Sequence, residues 1–152
     1  MKSIDDCFIR VKKKCFKFIK SQETFTNKFK NKDRMLKFFL IPLCFWISKK
    51  TNKKKPLIIG VAGGQGTGKT TITSILSLIL RIYFKLNVFK VSIDDFYKTR
   101  NERKKLSLSR HPLLMTRGVP GTHDYKIISN FFKKVKSKNF KSIKLPKFDK
   151  SI

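Results

Sequence analysis

Polar and apolar positions change rhythm along the 152 residues, and each rhythm predicts an element. Residues 1–35 scatter aromatics among lysines, with a helix expected over about 8–20 and then the polar break SQETFTNKFKNKDR. A second helical segment is expected over 34–41, ended by Pro42, because proline lacks the N–H that would continue a helix. The run SKKTNKKKP at 48–56, multiply charged and closed by Pro56, reads as a surface linker. Beyond it, LIIGVA at 57–62 is a short unbroken apolar run, the pattern of a strand buried on both faces of a parallel sheet. From Thr70 to Phe84 apolar residues fall at 72, 75, 76, 79, 80 and 82–84, which is helix spacing. NVFKVSIDDFY then supplies a second strand through Val88, Phe89, Val91 and Ile93, ending at Asp94. Residues 98–124 show no such rhythm and are read as mostly irregular. Helix pattern returns in DYKIISNFFKKV, where Tyr125, Ile128, Phe131, Phe132 and Val135 share a broad face. KSIKLPKFDKSI adds a short extended piece. Strand, loop, helix, strand is a βαβ unit. The expected fold is therefore a doubly wound α/β parallel sheet over 56–152, preceded by a basic helical extension and linker at 1–55.

Charge changes this picture less than its size suggests. The formal net charge is +28, from 37 Lys+Arg against 9 Asp+Glu, and such a balance first suggests a polyanionic partner. Yet residues 1–55 carry 17 basic and 4 acidic residues, and 56–152 carry 20 and 5, so no single arm holds the charge. Thirty of the basic residues are lysines, and the reading is lysine enrichment of tolerant surface positions. Cys7, Cys15 and Cys44 form no CxxC pair and no metal-like grouping with a histidine, as in a reduced, cytoplasmic protein. FFLIPLCFWI at 38–47 is too short to span a bilayer and is read as a packing element. The opening MKSIDDCFIRVKKK lacks the apolar core and cleavage site of a signal peptide.

The most specific chemistry sits between the first predicted strand and its helix. Gly63-Gly64-Gln65-Gly66-Thr67-Gly68-Lys69-Thr70 matches G-x-x-x-x-G-K-[ST] without deviation, and Thr71 follows it into the helix. Glycines let successive amides turn inward as a nest for phosphate, and the helix N-terminus adds unpaired amides and its positive dipole end. Lys69 is placed to reach the β- and γ-phosphates, and the Thr70 hydroxyl to ligate Mg²⁺. The dinucleotide fingerprint G-x-G-x-x-G fails, because Lys69 stands where its third glycine belongs.

Two further clusters follow. Ile93-Asp94-Asp95-Phe96-Tyr97 places paired acids at the carboxyl end of the second predicted strand, where open α/β sheets bind ligands. One carboxylate can take a proton from an attacking hydroxyl and the other can hold Mg²⁺, though paired acids also open turns. Arg117-Gly118-Val119-Pro120-Gly121-Thr122-His123-Asp124 is a Gly/Pro-shaped loop with converging polar side chains. Arg117 suits a bidentate carboxylate or phosphate contact, and His123 and Asp124 suit a substrate hydroxyl. Thr122 or Asp124 serves equally well as the cap of the helix near Tyr125.

In that order, PLIIGVAGGQGTGKTT, SIDDFY and HPLLMTRGVPGTHD resemble the glycerate-3-kinase-like P-loop kinases, relatives of the uridine kinase and pantothenate kinase group. The resemblance covers roughly 56–150. It implies a P-loop NTPase-type fold and transfer of the ATP γ-phosphate to a small-molecule hydroxyl, D-glycerate in characterised members, with ATP and Mg²⁺ as cofactors. It implies that Lys69 and Thr70 handle phosphates and metal, and that Asp94, which matches the family's Asp-x-Phe aspartate, is the general base and a metal ligand. Asp95, Tyr97, Arg117, His123 and Asp124 fall on the acceptor side, and PKFDK at 146–150 resembles a loop near it. Family members continue beyond that loop with further strands and an arginine-bearing lid. An incomplete sheet, and a truncated or degenerate kinase, is accordingly the expectation for a chain that ends at Ile152.

Two other functions compete. A P-loop ATPase or switch needs the same loop, but the guanine-reading N/TKxD motif of a GTPase is missing, since TNKK at 51–54 lacks the aspartate. A basic nucleic-acid-binding module is suggested by KKKCFKFIK and KNFKSIK, where aromatics alternate with lysines. Similar mixtures occur throughout the chain, so the expected partner is a small-molecule hydroxyl acceptor, with no specific nucleic acid and no membrane.

Overall fold

The first long helix forms where alternating acids and bases meet a repeating apolar row. Ser3 caps α1 (Ile4–Gln22) by accepting from the Asp6 N–H, and Asp5 and Asp6 sit in its first turn, where the helix dipole favours negative charge. Its buried residues Cys7, Phe8, Val11, Cys15 and Ile19 recur at spacings of three and four, so one stripe turns inward. This is a computed structural model, describing residues 3–52, 55–137, 142–144 and 147–148.

The segment around Pro42 departs from expectation. A short α2 (Lys32–Met35) runs into a π-helical turn over Leu36–Leu40 and directly on into α3 (Ile41–Lys50). Pro42 does not stop the helix. It lies in the first turn of α3, where its missing N–H is least costly, and the Ile41 N–H reaches back five residues to the Leu36 carbonyl. Only half of the apolar run 38–47 packs: Leu40, Ile41, Cys44 and Ile47 are buried, while Phe38, Phe39 and Trp46 are exposed. No helix among the described residues is long and apolar enough to cross a membrane.

Helix α4 (Lys69–Ile82) completes this cluster with Ile75, Leu76, Ile79 and Leu80, and Tyr83 follows at its end. α1 and α4 pack together, and α3 packs on both. The Tyr83 hydroxyl donates to Asp6 at 2.8 Å, tying the end of α4 to the start of α1. That bond and the Arg10 guanidinium hold the Asp6 carboxyl below its ordinary range. Lys37–Asp5 and Lys12–Asp33 ion pairs join α1 to the segment 32–40, and each lies exposed enough to contribute little alone. Three reduced cysteines meet in this interior, where burial pushes the Cys7 and Cys44 thiols up to about 12 and Cys15 to about 11. No group of three or more His, Cys, Asp or Glu side chains among the described residues is arranged to hold a metal ion.

The chain divides into two compact units, one of Met1–Lys53 and Leu57–Lys90, the other of Lys54–Pro56 and Val91–Ile152. The phosphate-loop helix therefore shares its core with the N-terminal helices. The sequence boundary at 55–56 and the structural division after Lys90 are different cuts.

The expected parallel sheet is not found. Among the described residues there is no strand, and Tyr97 and His123 meet only in an isolated antiparallel bridge. Residues 57–62 are irregular and solvent-exposed, Ile59 at 47%, and Phe89 is 75% exposed in the second predicted strand. A strand buried on both faces needs ladder partners beside it and helices over it, and the described residues supply neither to 57–62. Ile93 and Asp94, read as a strand end, belong to a 3₁₀ turn, Ile93–Phe96.

The second unit is more regular than its sequence rhythm suggests. Thr99 and Glu102 form a reciprocal capping box that opens α5 (Arg100–Ser109), inside the stretch read as irregular. A 3₁₀ turn, Pro112–Met115, follows, capped by the His111 ring accepting from the Leu113 N–H. Helix α6 (Tyr125–Lys136) buries Phe131 and half-buries Ile128, Phe132 and Val135, but Tyr125, expected on that face, is exposed. Phe131 meets Phe96 edge-on at 5.5 Å, which fixes α6 against the 3₁₀ turn carrying the acid pair. Of the extended piece near the end, 142–144 is irregular, and of PKFDK only Lys147 and Phe148 lie within the described residues.

Candidate active site

The phosphate loop has the backbone its glycines predict. Gly66 and Gly68 take φ of 78° and 77°, a left-handed conformation that other residues adopt only with strain, and Gly68 is the N-cap of α4. At Gly63 an added Cβ would lie 3.0 Å from Thr67 Oγ1, so the loop closes tightly there. Thr67 donates to the Gly64 carbonyl at 2.9 Å, and Lys69 Nζ donates to the Gly63 and Gly64 carbonyls. The first N–H bonded within this turn is that of Ile72, to the Gly68 carbonyl. The N–H groups of Lys69, Thr70 and Thr71 thus head the helix with no intrahelical acceptor, as a phosphate requires. Thr70 is exposed at the loop's rim, and its carbonyl accepts from Ser74, which in turn accepts from Lys90.

In the second unit, several predicted residues meet. Tyr97 stacks on His123 with ring centroids 4.2 Å apart, and Phe148 stands edge-on to Tyr97 at 5.4 Å. The Arg117 guanidinium lies 5.6 Å from the Phe148 ring centre. Phe148 also donates its N–H to Asp95 Oδ1 at 3.3 Å, while Asp95 Oδ2 accepts from the Ser92 N–H. Both Asp95 oxygens therefore serve the local backbone. Asp94, half-buried beside it, has its N–H on the Ser92 hydroxyl. The Arg117–Asp124 loop is shaped by Gly118 and Gly121, with φ of 92° and 93°, and by buried Thr122 donating to the Val119 carbonyl.

Asp124 caps α6: its Oδ1 accepts from the Lys126 and Ile127 N–H groups at 2.9 and 3.0 Å. Its own N–H goes to the Phe96 carbonyl. A shallow cleft of about 480 Å³ lies on another face of α5, between Arg100, Lys104, Leu108 and Met115, and includes none of the predicted site residues. The residue that sequence reading missed is Arg103. It is buried at 4% exposure, 5.7 Å from the same Phe148 ring, in a run of charges where nothing distinguishes it from its neighbours.

Comparison with known proteins finds kinases among this chain's homologues. Over 99 residues the chain is 35% identical to an uncharacterised kinase, mug58, of Schizosaccharomyces pombe, a match spanning 64% of this chain and 35% of that protein. It is 36% identical over 109 residues to the probable ATP-dependent kinase TDA10 of Saccharomyces cerevisiae, covering 66% and 38%. The chloroplastic D-glycerate 3-kinase of Arabidopsis thaliana is 32% identical over 100 residues, covering 63% and 22%. The chain is a homologue of glycerate-kinase-like P-loop kinases. It spans between about a fifth and two fifths of the length of these relatives. No family model and no solved structure matches it. Kinship with P-loop kinases accords with the loop at 63–70, although the sheet of such a fold is absent from the described residues.

The fit to nucleotide and metal follows from the donor set. Left-handed glycines, unpaired helix amides and a lysine suit phosphate oxygens. Mg²⁺ is usually carried on nucleotide phosphates with few protein ligands, and the exposed Thr70 hydroxyl is the one this loop would offer it.

Proposed function

We propose that the chain carries the phosphate-binding and acceptor-binding portions of an ATP-dependent kinase for a small hydroxy acid. The observation that supports this reading most is the complete loop 63–70 opening α4 with its glycines in left-handed conformation. Gly63 to Gly68, with the amides of Lys69, Thr70 and Thr71, would cradle the nucleotide phosphates, and Lys69 would move from its loop carbonyls onto them. Bound ATP supplies the transferable γ-phosphoryl group, and Mg²⁺ offsets its charge. Asp94 would take the acceptor's proton. Asp95, the next candidate, has both its oxygens accepting backbone N–H groups. Tyr97, His123 and Arg117 would surround the acceptor, and positive groups there suit a hydroxy acid such as glycerate better than a neutral nucleoside.

In this reading a doubly wound parallel sheet would be built on 57–62 and 88–92, which are irregular here, and the three thiols, all unpaired, suit a reducing cytoplasm. A coupled ADP-release screen over small hydroxy acids, pantothenate-like acids, sugars and nucleosides tests it. Turnover should favour a carboxylate-bearing acceptor and vanish in Asp94→Asn, with ATP binding kept. Preference for a nucleoside would remove Arg117 from its role. ATP hydrolysis indifferent to every acceptor would favour the ATPase or switch reading.

A further inference from the structure

Arg103 is a buried cation that forms no ion pair among the described residues. Guanidinium keeps its proton in proteins, so burial cannot be relieved by neutralisation, and a buried charge without an acceptor is costly. The Nε and Nη1 atoms of Arg103 are inaccessible to solvent and have no hydrogen-bond partner. The ion pairs among the described residues all lie in the first unit and leave Arg103 out. A second guanidinium stands close: Arg103 and Arg117 lie 5.7 and 5.6 Å from the centre of the one Phe148 ring. Burial, and then the neighbouring Arg117 charge, pull the Arg103 pKa below its ordinary value. A third unmet group belongs to the same cluster, since His123 Nε2 is buried without a partner while its ring stacks on Tyr97. Buried polar groups in native proteins are met by protein, water or ligand.

We propose that Arg103, with Arg117 and His123, receives the anionic oxygens of the acceptor, a carboxylate or a phosphate on a small hydroxylated molecule. The inference rests on reading this unit as the acceptor side of a kinase. It adds to that reading a specificity residue on α5. Arg117, exposed on its loop, supplies a second positive charge at the rim, whereas Arg103 supplies the buried anchor. Phe148 stands edge-on to Tyr97 with both guanidinium groups within about 6 Å of its ring centre, so its ring helps to hold the two cations near the Tyr97–His123 pair.

The test is calorimetric titration of the full chain, without nucleotide, with D-glycerate, glycerol 3-phosphate and glycerol. The wild type should bind at least one anion about tenfold or more tightly than glycerol, as expected for a charged hydrogen bond in a buried site. Arg103→Gln should lose that preference and leave glycerol binding unchanged, an outcome that loss of packing alone does not give. Whichever anion shows the larger loss identifies the group as carboxylate or phosphate. Equal binding of anions and glycerol by the wild type, or an anion preference retained by Arg103→Gln, overturns the proposal. Should Arg103→Gln fail to fold, Arg103→Lys decides. It keeps the charge but not the planar fork, and anion affinity should fall several-fold against constant glycerol affinity, whereas unchanged anion affinity overturns the proposal. Because no ATP is present, an Arg103-dependent preference beside a negative ADP-release assay would sink the kinase reading alone.

Discussion

Replacing Asp124 separates a structural role from a substrate role. In Asp124→Ala, α6 loses the acceptor for two of its first N–H groups, now bonded at 2.9 and 3.0 Å, and the negative charge at its positive end. Loss of a cap of this kind costs about 1 kcal/mol, and the helix-dipole contribution adds roughly 0.3–1 kcal/mol. The helix is tied to the rest of its unit mainly through Phe131 against Phe96, so little else compensates. For a unit of this size about 1–2 kcal/mol corresponds to a fall in Tm of about 5–15 °C. Asp124→Ser keeps an oxygen acceptor and removes the charge, so it should recover most of the loss. Thermal and urea unfolding followed by far-UV circular dichroism, beside glycerate titration, reads both effects. Expected is lower stability in Asp124→Ala, near-wild-type stability in Asp124→Ser, and unchanged acceptor affinity in the folded fraction of each. Unaltered stability in Asp124→Ala with acceptor binding lost in both variants would refute the cap and make Asp124 a ligand.

Other outcomes follow from the same structure. Lys69→Ala should greatly weaken Mg·ATP binding in a fluorescent-nucleotide titration, and equal binding by the variant would remove the loop from the site. Ile79→Ala, at a fully buried position of α4, should cost about 2–5 kcal/mol in urea unfolding of the first unit, and a loss under about 1 kcal/mol would contradict its packing. The buried thiols hold their protons up to about 11–12 while the ordinary value is 9.0, so the native state keeps protons that the unfolded chain releases. Their contribution is complete below pH 9 and is lost as pH rises from there toward 12; the urea midpoint should fall from pH 9 to 10.5, less steeply in Cys44→Ala. An identical slope in the variant would place the alkaline loss elsewhere.

Local chemistry was legible and tertiary context was not. The loop 63–70 and its helix could be read because glycine geometry, lysine placement and helix spacing are all encoded within some twenty residues. Helix α6 was readable for the same reason, apart from Tyr125. Helix α5 was overlooked although Thr99-x-x-Glu102 is a start signal, because its few apolar positions mark no face. Pro42 reads as a stop only against a regular α-helical ladder, and the π-turn ahead of it relaxes that ladder. The strands depend on partners that hydrophobic pattern cannot supply, which is why 57–62 looked buried and is exposed. Arg103 shows the same limit at the site, since only the fold distinguishes a buried arginine from an exposed one.

The rear of the phosphate-loop helix is held from several sides. Tyr83 is bonded to Asp6, Arg81 donates to the Val88 carbonyl, and Ile75, Ile79 and Leu80 are wedged against α1 and α3. Its front carries only glycine-rich backbone and a lysine bound to that backbone. Helix α4 is in this sense a fixed post, and the loop is the compliant end attached to it. Adjustment to an arriving phosphate would be absorbed by torsions at Gly63–Gly68 and by the swing of one lysine side chain, and the helix axis would stay where the N-terminal helices set it. The basic extension ahead of the loop would then act as an anvil, giving the nucleotide something rigid to close against.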